Sequence, residues 1–171
     1  MLAYVFWHRP QTVTAPADYE EGLRAFHARV GVPSACFRIG ALPFGDAAAG
    51  YEDWYLVGGW AELGELNAAA VSGARRPPHD AVAGLAAEGW GAVYLLVRGE
   101  ARPPATRRWV SKPAKESYDD FLAATQAPTI WQRQMTLGPA PEFCLVDDAG
   151  DAVRTPVWPR HVKRQARLAS T

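Results

Sequence analysis

In YEDWYLVGGW, residues 51–60, alternate positions do not sort into an oily side and a wet side. On a strand, Tyr55 and Val57 point one way while Trp54 and Leu56 point the other. Such a strand needs cover on both faces, with the carboxylates of Glu52 and Asp53 at its start. Around it the pattern is simpler. LAYVFWH (2–8) reads as a strand from its aromatic and β-branched content. TAPADYEEGLRAFHARVG (14–31) reads as a helix, with Thr14 as its cap, Pro16 in its first turn, acids near its start and Gly31 as its stop. Tyr19, Leu23, Phe26 and Val30 recur at helical spacing and form one buried stripe.

The pattern continues with a strand at ACFRIGAL (35–42), the aromatic strand itself, and a helix at AELGELNAAAV (61–71). A loop, GARRPPHD, leads into a second helical piece, AVAGLAAEG (81–89), which Asp80 is placed to cap. GAVYLLVRG (91–99) is an apolar fourth strand. The order βαββαβ is that of a ferredoxin-like unit, with four strands, helices on one face and the other face open.

The rest of the chain repeats this beginning. RWVSKP (108–113) echoes FWHRP, and SYDDFLAAT (117–125) echoes DYEEGLRAF. WQRQMTL (131–137) echoes CFRIGAL, placing Arg133 opposite Arg38, and EFCLV (142–146) echoes DWYLV (53–57). The offset between matched positions shrinks from 99 (Tyr19 to Tyr118) through 95 (Arg38 to Arg133) to 89 (Leu56 to Leu145), so the gaps are loop-sized. The expected organisation is a first repeat over 1–100 and a shortened second repeat over 104–171. In the second, AVRTPVW replaces the second helix with a strand and a basic tail follows. Two such sheets, packed open face to open face or joined edge to edge, would cover every strand twice. The expected fold class is α+β, with two fused ferredoxin-like repeats and a mainly antiparallel sheet of about eight strands.

With this duplication, and with the FWHRP strand, the Y-x-x-x-L-x-x-F-H helix and the aromatic third strand, the chain resembles the dimeric α/β-barrel superfamily in its fused tandem form. Within it, residues 4–27 are loosely similar to EthD-like and NIPSNAP-like proteins. The resemblance implies a barrel of two ferredoxin-like units. It implies no single chemistry, because the superfamily includes cofactor-free monooxygenases, lactone isomerases and haem enzymes.

Composition narrows the classes. The formal net charge is zero, which gives no pull toward nucleic acid or acidic membrane. The last twelve residues hold Arg160, Lys163, Arg164 and Arg167 and no acid, leaving 14 basic and 18 acidic residues before them, a net of −4. The tail, with His161, reads as a solvated terminal helix. Cys36 and Cys144 sit singly in apolar runs, as small buried hydrophobes in a reduced compartment. No CxxC or HExxH spacing occurs, so neither a metal nor another cofactor is expected. No apolar run approaches the ~20 residues of a membrane span, and MLAYVFWHRP lacks the basic start and cleavage site of a secretory signal, so the expected location is the cytoplasm. Self-association into a homo-oligomer stays open.

For chemistry, alternation along the first strand sets Tyr4, Phe6 and His8 on one face against Val5 and Trp7 on the other. If that face and those bearing Arg38, Tyr94 and Arg133 look into the barrel, its cavity holds a histidine, two arginines and aromatic rings. Arginine pairs with oxygen anions, rings stack, and histidine moves protons near neutral pH. The expectation is a small-molecule ligand, a polar aromatic or enolic compound. His8 would be catalytic, and Arg38, Tyr94, Arg133, Trp54, Tyr55 and the loop residue His79 would bind the ligand. His27, in the last helical turn, reads as structural. Glu52 and Asp53, adjacent on a strand, face opposite ways and form no paired-carboxylate device. Two function classes stand: a small-molecule-binding protein or cofactor-independent enzyme, and a non-catalytic binding, stress or assembly protein. A haem protein would need His8 or His27 beside room for a macrocycle.

Overall fold

The computed structural model describes residues 1–45, 48–136 and 143–146, and the backbone of 154–156. Among these residues it is an α+β fold with four α-helices and one curled antiparallel sheet, a half-barrel. The strands are β1 (Leu2–Pro10), β2 (Ser34–Ile39), β3 (Gly50–Val57), β4 (Ala86–Arg98), β5 (Arg108–Val110), β6 (Thr129–Thr136), β7 (Phe143–Val146) and β8 (Arg154–Pro156). The helices are α1 (Pro16–His27), α2 (Trp60–Ala70), α3 (Arg76–Ala83) and α4 (Tyr118–Ala124). The strands lie in the order β5-β7-β6-β4-β1-β3-β2-β8, and every neighbouring pair is antiparallel. Residues before and after position 100 share this sheet through the β4–β6 ladder, in which Tyr94 lies opposite Arg133. The basic tail and His161 lie outside the described residues.

Two local expectations are corrected. α1 is capped by the backbone of Ala15, not by Thr14, and no side chain bonds to its first turn. Pro16 at the first position has no N–H to satisfy, which reduces what a cap must do. The helix expected over 81–89 runs instead over Arg76–Ala83, so Asp80 lies inside it, while Ala86–Gly89 belong to β4. Pro77 and Pro78 fit a first turn, and the chain beyond Gly84 pairs with β1, where Arg9 lies opposite Glu88.

Each face of the sheet carries its own core. On the helix-covered face, Tyr19, Leu23 and Phe26 of α1, Leu66 of α2 and Val82 of α3 pack on Leu2, Cys36, Tyr51, Tyr55, Val57 and Val93. On the other face, Val5, Trp7, Phe37, Ile39, Trp54, Leu56, Tyr94, Trp131 and Cys144 form a second cluster. Every residue of β3 is buried, which accounts for its two-sided apolar pattern. The indoles of Trp7 on β1 and Trp109 on β5 approach to 5.1 Å between ring centroids. Four strand spacings separate those strands, about 19 Å in a flat sheet. The second cluster is therefore the inside of the curl. A small third core, Ile130, Phe143 and Leu145, lies with Phe121 and Leu122 of α4.

Glycines on β4 make room on the helix face. A Cβ on Gly89 would collide with the Phe6 ring, and one on Gly91 would stand 2.5 Å from the Tyr4 hydroxyl. These two rings lie diagonally across the bare backbone. Tyr4, Phe6, His8 and Tyr51 then stack in a row, with centroid separations of 6.1, 5.4 and 5.6 Å.

Candidate functional site

β3 places two acids at the middle of the molecule, Glu52 on the inner face and Asp53 beneath α1, both fully buried. A buried carboxylate is tolerated only when paired and hydrogen-bonded. Each acid meets that demand in a different way.

Glu52 is held by donors with fixed geometry. Trp7 and Trp109 each donate Nε1–H to its Oε2 at 3.0 Å, and Trp54 donates to Oε1 at 2.8 Å. The Arg107 guanidinium, itself 1% exposed, completes the pair with Nη2 at 2.7 Å from Oε2. Its cation also lies 5.5 Å from the centre of the Trp109 ring. These partners are charged or non-titrating donors, so the cluster has little proton chemistry to offer. It fills the inside of the half-barrel.

Asp53 is surrounded by two histidines, a tyrosine and a thiol. Tyr55 donates its hydroxyl to Oδ2 at 2.8 Å. His8 Nε2 lies 3.2 Å from Oδ2, and His27 Nε2 lies 3.3 Å from Oδ1. His8 Nδ1 meets the Tyr19 hydroxyl of α1 at 2.7 Å, and His27 Nδ1 meets Ser34 Oγ at 2.8 Å. Tyr55 stacks on His27 with 13° between the rings. Cys36, opposite Asp53 in the β2–β3 ladder, adds a buried thiol. Burial pushes the Asp53 carboxyl up, but the charges of His8 and His27 outweigh it and hold it well below its ordinary range. Burial, reinforced by the Asp53 charge, pushes the Cys36 thiol and the Tyr55 hydroxyl well above theirs. By the same two causes Tyr4 is raised to about 12.

A polar path leads from this cluster to the surface. His8 stacks on Tyr51 with 7° between the rings, and Tyr51 donates its hydroxyl to Glu20 Oε1 at 3.1 Å. Glu20 on α1 also accepts from Arg38, whose Nε lies 3.0 Å away and whose side chain is 52% exposed. Burial first, then the Glu20 charge, raises Tyr51 to about 12.

The sequence-predicted residues thus divide between the two faces. His8, Arg38 and Tyr55 lie on the helix side, as does His79, which bonds Asp80 at 3.0 Å near the surface and sets its ring edge against Phe26. Trp54 and Tyr94 are buried inside the curl, and Arg133 is half-buried opposite Tyr94. The expectation that His8 and Arg38 face the barrel interior is corrected. Tyr4, Phe6 and His8 share the face that α1 and α3 cover, because the inner face is taken by the alternate residues Val5 and Trp7. Arg98, at the end of β4, bonds the carbonyls of Leu122 and Thr125 at the end of α4.

Asp53 and Tyr19 were missed as site residues, and so was Arg107. The signal for Asp53 was its place in a strand apolar on both faces, which leaves an acid nowhere to reach water. A cleft of about 310 Å³ is lined by Gly99, Arg102, Thr106 and Thr129, and by none of these side chains. No family model, curated protein or solved structure matches this chain. Among the described residues no helix is long and apolar enough to cross a membrane.

Proposed function

We propose that this chain is a small-molecule-binding protein, or an enzyme working by proton transfer, whose centre is the Asp53 cluster beneath α1. The observation that carries this reading is that His8 and His27 share one buried carboxylate, with a polar path from His8 through Tyr51 and Glu20 to the exposed Arg38. An imidazole beside a carboxylate that stays ionised is a proton acceptor and donor near neutral pH. Arg38 at the outer end suits a carboxylate or enolate, and the ring stack behind it suits a planar body. The substrate class remains a polar aromatic or enolic anion, reached from the Arg38 end and not from inside the curl.

The finer fold reading belongs with this proposal. Sheet order β4-β1-β3-β2 with helices between is that of one ferredoxin-like unit. The β5-β7-β6 segment has the neighbour order of β1-β3-β2, which supports an internal duplication. Trp7 and Trp109, from the echoing segments FWHRP and RWVSKP, both bond Glu52.

The test is a thermal-shift panel of phenolic, enolic and quinone-like acids on chelator-treated protein. A compound that raises the melting temperature of the wild type, with the shift lost in Arg38→Ala, supports the reading by mass action. A flat response across the panel favours the non-catalytic class, in which the Asp53 cluster serves only to fix α1 on the sheet.

A further inference from the structure

We propose that His8, Cys36 and Asp53 form a binding site for one divalent transition-metal ion of the zinc kind. One donor atom from each lies within 4.8 Å of the other two, and all three residues are buried. They come from three adjacent strands, β1, β3 and β2, so the sheet fixes their spacing before any ion arrives. In a tetrahedral site with bonds of about 2.0–2.3 Å, ligand atoms stand about 3.5 Å apart. The site requires side-chain torsions to bring the donor atoms from within 4.8 Å of one another to that spacing.

Two further observations point to an ion. His8 Nε2 and Asp53 Oδ1 are buried and make no aligned hydrogen bond among the described residues, although His27 Nε2 lies 3.3 Å from Oδ1. His8 Nε2 is within ion-pair distance of Asp53 Oδ2, 3.2 Å, without being aligned as a donor to it. A ring nitrogen and a carboxylate that are close but misaligned suit a cation between them better than a shared proton. Charge agrees: one thiolate, one carboxylate and a neutral imidazole bring a divalent ion to zero net charge, which limits the cost of burial. On binding, the Cys36 S–H proton leaves to solvent as the sulfur–metal bond forms.

The second layer of contacts also fits. With Nε2 on the metal, His8 Nδ1–H donates to the Tyr19 hydroxyl at 2.7 Å, which fixes the tautomer and the ring plane. Three protein ligands leave a fourth position for water or a ligand oxygen, the arrangement of zinc sites that bind a further group. Thiolate and imidazole select zinc or cobalt over magnesium or calcium.

This goes beyond the proton-transfer reading, and its test needs no organic ligand. Reduced, chelator-treated full-length protein is titrated with cobalt(II). The expected result is one equivalent bound, with visible bands of tetrahedral cobalt and a near-ultraviolet thiolate charge-transfer band. Zinc displaces the cobalt and magnesium does not. Cys144, buried on the inner face, is the control: Cys144→Ser keeps the charge-transfer band and Cys36→Ser loses it. Tyr19→Phe weakens binding by roughly 10–100-fold. Should Cys36→Ser not fold by circular dichroism, the wild-type and Cys144→Ser spectra still decide. No cobalt band in the wild type, or a band lost in Cys144→Ser, overturns the proposal, as does one that survives in folded Cys36→Ser. Failure here leaves the organic-acid panel untouched, and a flat panel leaves the cobalt spectrum untouched.

Discussion

Glu52 and Asp53 are consecutive residues of β3, and their carboxylates lie on opposite faces of one sheet, each fully buried in its own polar cluster. The pleat that separates them also separates their chemistry. Glu52 meets an arginine and three indoles, which hold it fixed. Asp53 meets two histidines, a tyrosine and a thiol.

The buried Glu52–Arg107 pair ties the first hundred residues to the segment that leads into β5. Glu52→Gln and Arg107→Met should each cost about 3–5 kcal/mol, because each leaves its partner buried without its counter-charge. The double variant should cost less than the two losses together. Urea unfolding of the four proteins measures this coupling, and strict additivity would show that the pair does not interact.

On the other face, Tyr55→Phe removes the best-aligned donor to Asp53 without changing the ring. The expected loss is about 1–3 kcal/mol, set by a buried carboxylate short of one hydrogen bond. Tyr118→Phe, on an exposed helix position, serves as the control and should be nearly neutral.

Five of the six tyrosines, Tyr4, Tyr19, Tyr51, Tyr55 and Tyr94, are raised above the ordinary value of 10, in each case chiefly by burial. A group raised in the folded state contributes stability that is present below its unfolded pKa and lost as pH rises through the folded one. Stability should therefore hold up to about pH 10. It should then fall as pH approaches the value of about 12 reached by Tyr4 and Tyr51. Near-ultraviolet phenolate absorbance checks this. Five phenols should ionise only beyond pH 10 in the native protein, and all six near pH 10 in denaturant. Equal curves in both states would refute the burial argument.

Two glycine substitutions should have opposite signs. Gly89→Ala drives a methyl into the Phe6 ring, which is held between Tyr4 and His8, and should cost about 1–3 kcal/mol. Gly64→Ala lies in α2 with nothing within 4 Å of the new methyl, and should stabilise by about 0.5–1 kcal/mol. Thermal melts of both variants suffice.

Periodicity by itself determined where most elements lie. The stripe of Tyr19, Leu23 and Phe26 marks α1, and the two-sided apolar pattern of 51–57 marks a strand buried on both faces. These are local consequences of backbone geometry, legible because side-chain direction follows a fixed period. The junction at 81–89 departs from the helical expectation because AVAGLAAEG is rich in alanine, while pairing with β1 outweighs that weak preference. Which face of β1 lies under the helices was decided only by tertiary structure. Alternation sorts Tyr4, Phe6 and His8 from Val5 and Trp7 but assigns neither set to a side. Long-range packing settled it: Gly89 and Gly91 open room for rings beneath the helices, while Trp109 and Arg107 reach across the curl to Glu52. Contacts spanning 55 and 57 positions leave no mark in local pattern, so the partners of Glu52 had to come from the folded chain.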